Sequence, residues 1–330
     1  MKGYRGIILI ALAMVVPATA TANSRDQAQR IHNRLAGVPA DAATLTEMAS
    51  LIDNNQATAA AELAMDHPAF YNVTIKQFAT PWTNEAQDVF APLNDYTATI
   101  IGVVRDDVDF RRILYSDLLY VGNASPAASP SSNAHYEALE NQHADLSTAL
   151  TESSQASQYG TPAEAVAGVL TTRAAANAFF YAGTNRAMLR FTMMNHMCRD
   201  LEQVKDTTRP SDRIRQDVSR SPGGDSRIFR NSCIGCHSGM DPLAQAFAYY
   251  DWEGEQEGNG GRMVYNSGND AEIGTRVQGK YLINGNNFPW GYITPDNSWD
   301  NYWRKGPNAN LGWDPSLPGS GEGAASMGKE

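Results

Sequence analysis

The chain has 330 residues, 42% of them hydrophobic and 19% charged, the composition of an ordinary globular protein with enough residues for a sizeable core. Its 26 Lys and Arg against 36 Asp and Glu give a net charge of −10, a balance that argues against nucleic acid or an anionic membrane surface as partner. The same acidity leaves room for a basic partner protein.

Residues 1–22 read as a secretory signal. Lys2 and Arg5 form a positive start, Gly6 to Val16 is an apolar run too short to span a bilayer, and Ala18-Thr19-Ala20 and Ala20-Thr21-Ala22 offer cleavage sites. The competing reading is an N-terminal membrane anchor. No cysteine follows the apolar run, which argues against a lipoprotein anchor, and no later apolar run reaches membrane length. Cleavage leaves about 305 residues and a net charge of −12, from 24 basic and 36 acidic residues. The expected location is the periplasm, or the secreted or cell-surface fraction, of a Gram-negative bacterium.

Residues 23–121 are expected to be helical. Ser24 suits an N-cap for 25–35, Thr44-x-x-Glu47 has the form of a capping box, and Ala57–Met65 is rich in alanine. Further helices are expected over 69–79, 93–105 and 108–120 from the spacing of Ile100, Ile101, Val103, Val104, Phe110, Ile113, Leu114 and Leu118. His32 and His67 read as surface or helix-terminal residues. The Pro- and Ser-rich run after Gly122 makes 122–160 the expected linker, with His135 and His143 solvated in it.

The helical pattern returns at Thr161-Pro162-Ala163-Glu164, which resembles a helix start, and again over 185–198. That second run carries Met188, Met193, Met194, His196, Met197 and Cys198. Methionine commonly fills irregular core space, and Cys198 reads as a buried thiol. His196 and Met197 are nevertheless candidates for an axial metal ligand.

Cys233-Ile234-Gly235-Cys236-His237 follows. C-x-x-C-H is the attachment pattern of a c-type haem. Two thiols one helical turn apart can form thioethers with the porphyrin, and the adjacent imidazole can bind its iron. Three other readings stand beside this one: a zinc site completed by Cys198 and histidines, a thioredoxin-like redox pair, and a Cys233–Cys236 disulfide. Asp241-Pro242 reads as an N-cap and first residue of a helix running to about Tyr250. Met240 falls too close to His237 to reach the opposite face of a haem. Met263 lies in a later segment that could fold over the ring, so it joins His196 and Met197 as a sixth-ligand candidate. From 253 to 320 the chain is dense in Gly, Asn, Trp and Tyr, with short strands expected near 262–265 and 277–283. Trp252, Trp290, Trp299, Trp303 and Trp313 could shield a haem or anchor loops.

Cys233-x-x-Cys-His-x-x-Met240-Asp-Pro-Leu243, with Ala246-Phe247 and Tyr250-Asp251-x-x-Gly254, resembles the Planctomycete-type cytochrome c domains, exported proteins of largely unknown function. The resemblance extends to Gly168-Val-Leu-Thr-Thr and to Arg186 through Cys198, and more loosely to 30–37 and 107–119. It implies one haem c on Cys233 and Cys236 with His237 on the iron, and gives no sixth ligand or substrate. Members of that family commonly continue into a further helical segment, whereas this chain stops where Ser326-Met-Gly-Lys begins to look helical, which leaves two readings open, a fragment or an early end.

The expected fold is mainly α: a helical N-terminal region, then a cytochrome c-like haem region over 161–330 with an irregular, loop-rich C-terminal part. The expected function is that of an exported mono-haem electron carrier with a redox partner protein, rather than an enzyme. A haem-based sensor of small ligands, or a single-haem oxidoreductase with an open distal position, are the alternatives. A di-haem peroxidase would need a second C-x-x-C-H, which the sequence lacks.

Overall fold

In the computed structural model, residues 23–256, 260–282 and 287–330 are described; the expected signal, 1–22, lies outside them. The described residues are mainly helical, with three two-stranded antiparallel sheets. The chain divides into two compact units, Met1–His67 and Pro68–Glu330.

The first unit is three helices: α1 (Ser24–Leu35), α2 (Ala42–Asp53) and α3 (Ala57–Met65). Ala28, Leu45, Met48, Ala60 and Ala64 form its small core. Both early caps sit upstream of the expected residues. The Asn23 side chain accepts from Asp26 N at 2.8 Å, and Asp41 accepts from Ala43 N and Thr44 N at 2.8 and 2.9 Å. Asp41 is thus a better acceptor at the helix start than the Thr44 hydroxyl, which itself donates to Asp41. His32 ends α1 as expected but is buried, with Nδ1 2.9 Å from Val38 O; His67 is exposed.

The second unit is built around α4 (Asp95–Arg105), which is buried continuously from Asp95 to Val103. Asn94 caps it, accepting from Thr97 N at 3.0 Å. The helix expected over 108–120 is instead a single turn, Phe110–Leu114, followed by strand β1 (Leu119–Gly122). Pairing overrides local helical pattern here. β1 lies antiparallel to β2 (Leu150–Ser153), with Leu119 opposite Ser153 and Gly122 opposite Leu150.

That pairing corrects the expected linker. Residues 122–160 belong to the second unit: they carry α5 (Ala134–Asn141) and β2, and they bury Tyr136, Leu139, Leu146 and Leu150. Only the stretch before Ala134 behaves as the loop its Pro and Ser content suggested. His135 is buried rather than solvated, its Nδ1 2.8 Å from Pro126 O and its Nε2 accepting from Gly122 N. His143 is exposed.

Thr161–Glu164 yields one short turn, Ala163–Ala165, and the next helix is α6 (Arg173–Phe179). Thr172 caps α6, and buried Asp95 accepts from Arg173 N and Ala174 N at 2.6 and 3.0 Å, tying α6 to α4. Then come α7 (Arg186–Met197) and α8 (Ile234–Ala244). The expected new helix at Asp241-Pro242 does not start there: Pro242 lies inside α8, and Asp241 is buried within it. The unit closes with β3 (Tyr250–Glu253) against β4 (Arg262–Tyr265), β5 (Ser298–Asp300) against β6 (Ser320–Glu322), and α9 (Gly323–Lys329). Over 277–282 there is a single turn, Gly279–Tyr281, where a strand was expected; residue 283 lies outside the described residues.

The main core joins α4, β1, α7 and α8 to Trp299 and Trp303. Trp303 is fully buried and Trp290 is 83% exposed, so the tryptophans do not act as one shield. Cys198, expected in the core, is exposed at the end of α7. Among the described residues no helix is long and apolar enough to cross a membrane.

Candidate haem attachment site

The pentad sits at a change of helical winding. A π-helical turn, Phe229–Cys233, runs directly into α8 at Ile234, so Cys233 and Cys236 fall one turn apart on a single continuous helical run. Such local widenings occur often at functional sites. Two glycine-sized approaches fix α8 in place. A Cβ on Gly239 would lie 2.2 Å from Trp303 Cε2, and one on Gly235 would lie 2.6 Å from Lys205 Cγ. The segment beside Gly235 is held by Asp206 N donating to Gly235 O at 2.9 Å.

All three cysteines are free thiols. Cys233 is half-buried against Ile214, Val218 and Phe229. Cys236 is half-buried with Sγ 3.6 Å from Leu201 O, and burial pushes its thiol up from the ordinary cysteine value. A raised value keeps the Cys236 thiol in its uncharged form.

His237 is oriented from behind. Its Nδ1 lies 3.0 Å from Asp241 Oδ1, four residues on along α8. A carboxylate only accepts, so Nδ1 is the donor of this bond, and in the neutral ring the lone pair is then on Nε2. Among the described residues Nε2 has no hydrogen-bond partner, and the side chain is 20% exposed.

Asp241, with no exposed side-chain surface, is the centre of a charge cluster. Arg186, the first residue of α7, places Nε 2.8 Å and Nη2 3.2 Å from its two oxygens. The other side of the same guanidinium reaches Asp217, at 2.7 Å through Nη1 and 3.0 Å through Nη2. Arg215 N donates to Asp241 Oδ2 at 3.2 Å, its Nε lies 3.5 Å from Asp217, and its guanidinium stacks 4.0 Å from the Tyr281 ring. Burial alone would raise the Asp241 carboxyl. The Arg186 charge and the His237 hydrogen bond outweigh it and hold the group well below the usual carboxylate range. Two carboxylates and two guanidiniums balance, so the buried charges of Asp241 and Arg215 are compensated by the partly exposed Arg186 and Asp217.

The three sixth-ligand candidates line cavities whose walls do not include the pentad. His196 and Met197 line a cavity of about 870 Å³ whose other walls include Met193, Leu243, Trp313 and Met327. His196 is engaged: Nε2 is 2.9 Å from the Tyr96 hydroxyl, and its ring meets Trp82 edge-on at 5.3 Å. Burial drops its pKa to about 4. Met263 stands in β4 opposite Trp252 and lines a separate cavity of about 280 Å³ with Arg173 and Tyr159. Cys233, Cys236 and His237 form no wall of either cavity.

Among the described residues no group of three or more His, Cys, Asp or Glu is arranged to hold a metal ion, so the zinc reading has no ligand set there. Haem asks less of the chain, since the porphyrin supplies four of the iron's ligands and the motif one. Two unjoined thiols one turn apart, next to an imidazole with an anchored Nδ1 and a free Nε2, fit that demand.

Sequence reasoning missed Asp241, Arg186 and Asp217 as a network. The i, i+4 spacing of His237 and Asp241 was available as a signal. Nothing in the sequence spacing joins Arg186 or Asp217 to either residue. Comparison with family models, with curated proteins and with solved structures gives no match for this chain.

Proposed function

We propose that this is an exported mono-haem c-type cytochrome that transfers electrons to or from a partner protein, as the resemblance to the Planctomycete-type cytochrome c domains implies. Cys233 and Cys236 hold the haem through thioethers, and His237 binds its iron through Nε2. The group, when bound, supplies one-electron chemistry; the chain's part is to hold it, orient the imidazole and set its surroundings. The observation that carries the reading is the C-x-x-C-H run on one continuous helix with His237 fixed by Asp241 and its Nε2 free. A redox role requires no catalytic side chain.

One observation favours a second reading, a haem that binds a small gas. His196 is held by Tyr96, and Met197 and Met263 line cavities whose walls do not include the pentad, which supports an open or weakly held sixth position.

The test is the visible spectrum of protein made in a periplasm equipped for haem maturation, reduced, with and without carbon monoxide. A thioether haem spectrum indifferent to the gas is the expected result for an electron carrier, and a shifted one favours gas binding. Cys233→Ala with Cys236→Ala should abolish covalent haem, and His237→Ala should lose the low-spin spectrum. Absence of covalent haem in the wild-type protein sinks the proposal and revives the disulfide and redox-pair readings. Met263→Ala alters the spectrum only if Met263 is the sixth ligand.

A further inference from the structure

The placement of Asp241 behind His237 bears on more than orientation. A hydrogen bond from Nδ1–H to a neutral carbonyl leaves an imidazole an ordinary donor. A carboxylate draws that proton toward itself, makes Nε2 a stronger electron donor and favours the oxidised iron. Here the carboxylate is buried and cannot be screened by water, yet it is shared: Asp241 Oδ1 lies 3.0 Å from His237 Nδ1 and 2.8 Å from Arg186 Nε. Oδ2 is occupied by Arg186 Nη2 at 3.2 Å and Arg215 N at 3.2 Å. Arg186 is itself divided between Asp241 and Asp217.

We propose that Asp241 is the positioning residue that sets the donor strength of His237, and that the Arg186 fork limits how much of the Asp241 charge His237 receives. The pair thereby holds the haem at a lower potential than a neutral acceptor would. This inference rests on the haem reading above. Asp217 supplies the internal control, because it is a carboxylate paired with the other edge of Arg186 and makes no hydrogen bond to His237.

The experiment is a spectroelectrochemical midpoint potential on the haem-loaded full chain and its variants. Asp241→Asn should shift the potential positive, Asp241→Glu should restore it toward the wild-type value, and Asp217→Asn should shift it by less than half as much as Asp241→Asn. Arg186→Lys keeps the charge but loses the fork, frees Asp241 for His237, and should shift the potential negative. An unchanged potential in Asp241→Asn, or an equal shift in Asp217→Asn, overturns the inference. If Asp241→Asn yields no holoprotein, Arg186→Lys decides: a negative shift supports the inference and no shift overturns it. A wild-type chain without covalent haem overturns the underlying reading instead, and is told apart by the absence of the thioether haem spectrum.

Discussion

His237 and His196 behave differently because of what each nitrogen meets. His237 ties Nδ1 to a carboxylate and has no hydrogen-bond partner at Nε2 among the described residues, whereas His196 spends Nε2 on the Tyr96 hydroxyl and packs its ring on Trp82. Among the described residues no carboxylate is hydrogen-bonded to the His196 ring, and burial lowers its pKa to about 4 from an ordinary value of 6.5. The unfolded chain then binds more protons than the folded one between those two values, and stability rises with pH through that window. It is fully present above pH 6.5 and is lost as pH falls toward 4, at most about 3 kcal/mol from the shift and less with partial solvation. Thermal unfolding followed from pH 7 to 4.5 should give a falling midpoint in the wild-type chain. His196→Gln, neutral and able to bond Tyr96, should flatten that dependence. An unchanged slope would place the pH sensitivity elsewhere.

At the scale of the element, α8 is set by what lies against its small residues. Trp303, fully buried, occupies the space where a Gly239 side chain would stand. Gly239→Ala should therefore destabilise the second unit by about 1–3 kcal/mol, read as a lower denaturant midpoint with an unchanged slope. A substitution without effect would mean that Trp303 can move aside at no cost. α8 also carries Pro242 in its interior, a position that removes a helical hydrogen bond and costs about 3 kcal/mol in an exposed helix. Its neighbours Asp241, Leu243 and Ala244 are all buried, so tertiary packing supports what local propensity disfavours.

For the whole molecule, the boundary at His67–Pro68 separates a small three-helix unit from one that holds the candidate site entire. Every residue of the His237, Asp241, Arg186, Asp217 and Arg215 network lies in Pro68–Glu330, and so does the main core. On the proposed haem reading, a chain starting at Pro68 and fused to an export signal should bind haem covalently with the same spectrum as the full-length chain. Loss of haem from that variant would show that the first unit is needed to form the site. The core cluster of the first unit has five buried residues among those described, small enough that we expect this unit to be the less stable of the two. In urea it should unfold first, seen as a helical signal lost before the tryptophan fluorescence changes.

The residues' own chemistry settled much of this protein. The C-x-x-C-H run, the helices α1 to α4 and α7, and strand β4 were legible because capping, helical periodicity and thiol spacing act over a few neighbouring positions. Tertiary structure decided what depends on distant partners. β1 formed where a helix was expected because Leu150–Ser153 pairs with it, and 122–160 became part of the second unit for the same reason. Asp241 left the role of helix cap for that of a buried charge because Arg186, 55 positions away, meets it there. Local sequence speaks for the attachment chemistry; only the fold brings the guanidinium and carboxylates behind His237, since a charge is buried stably only where its counter-charge arrives with it.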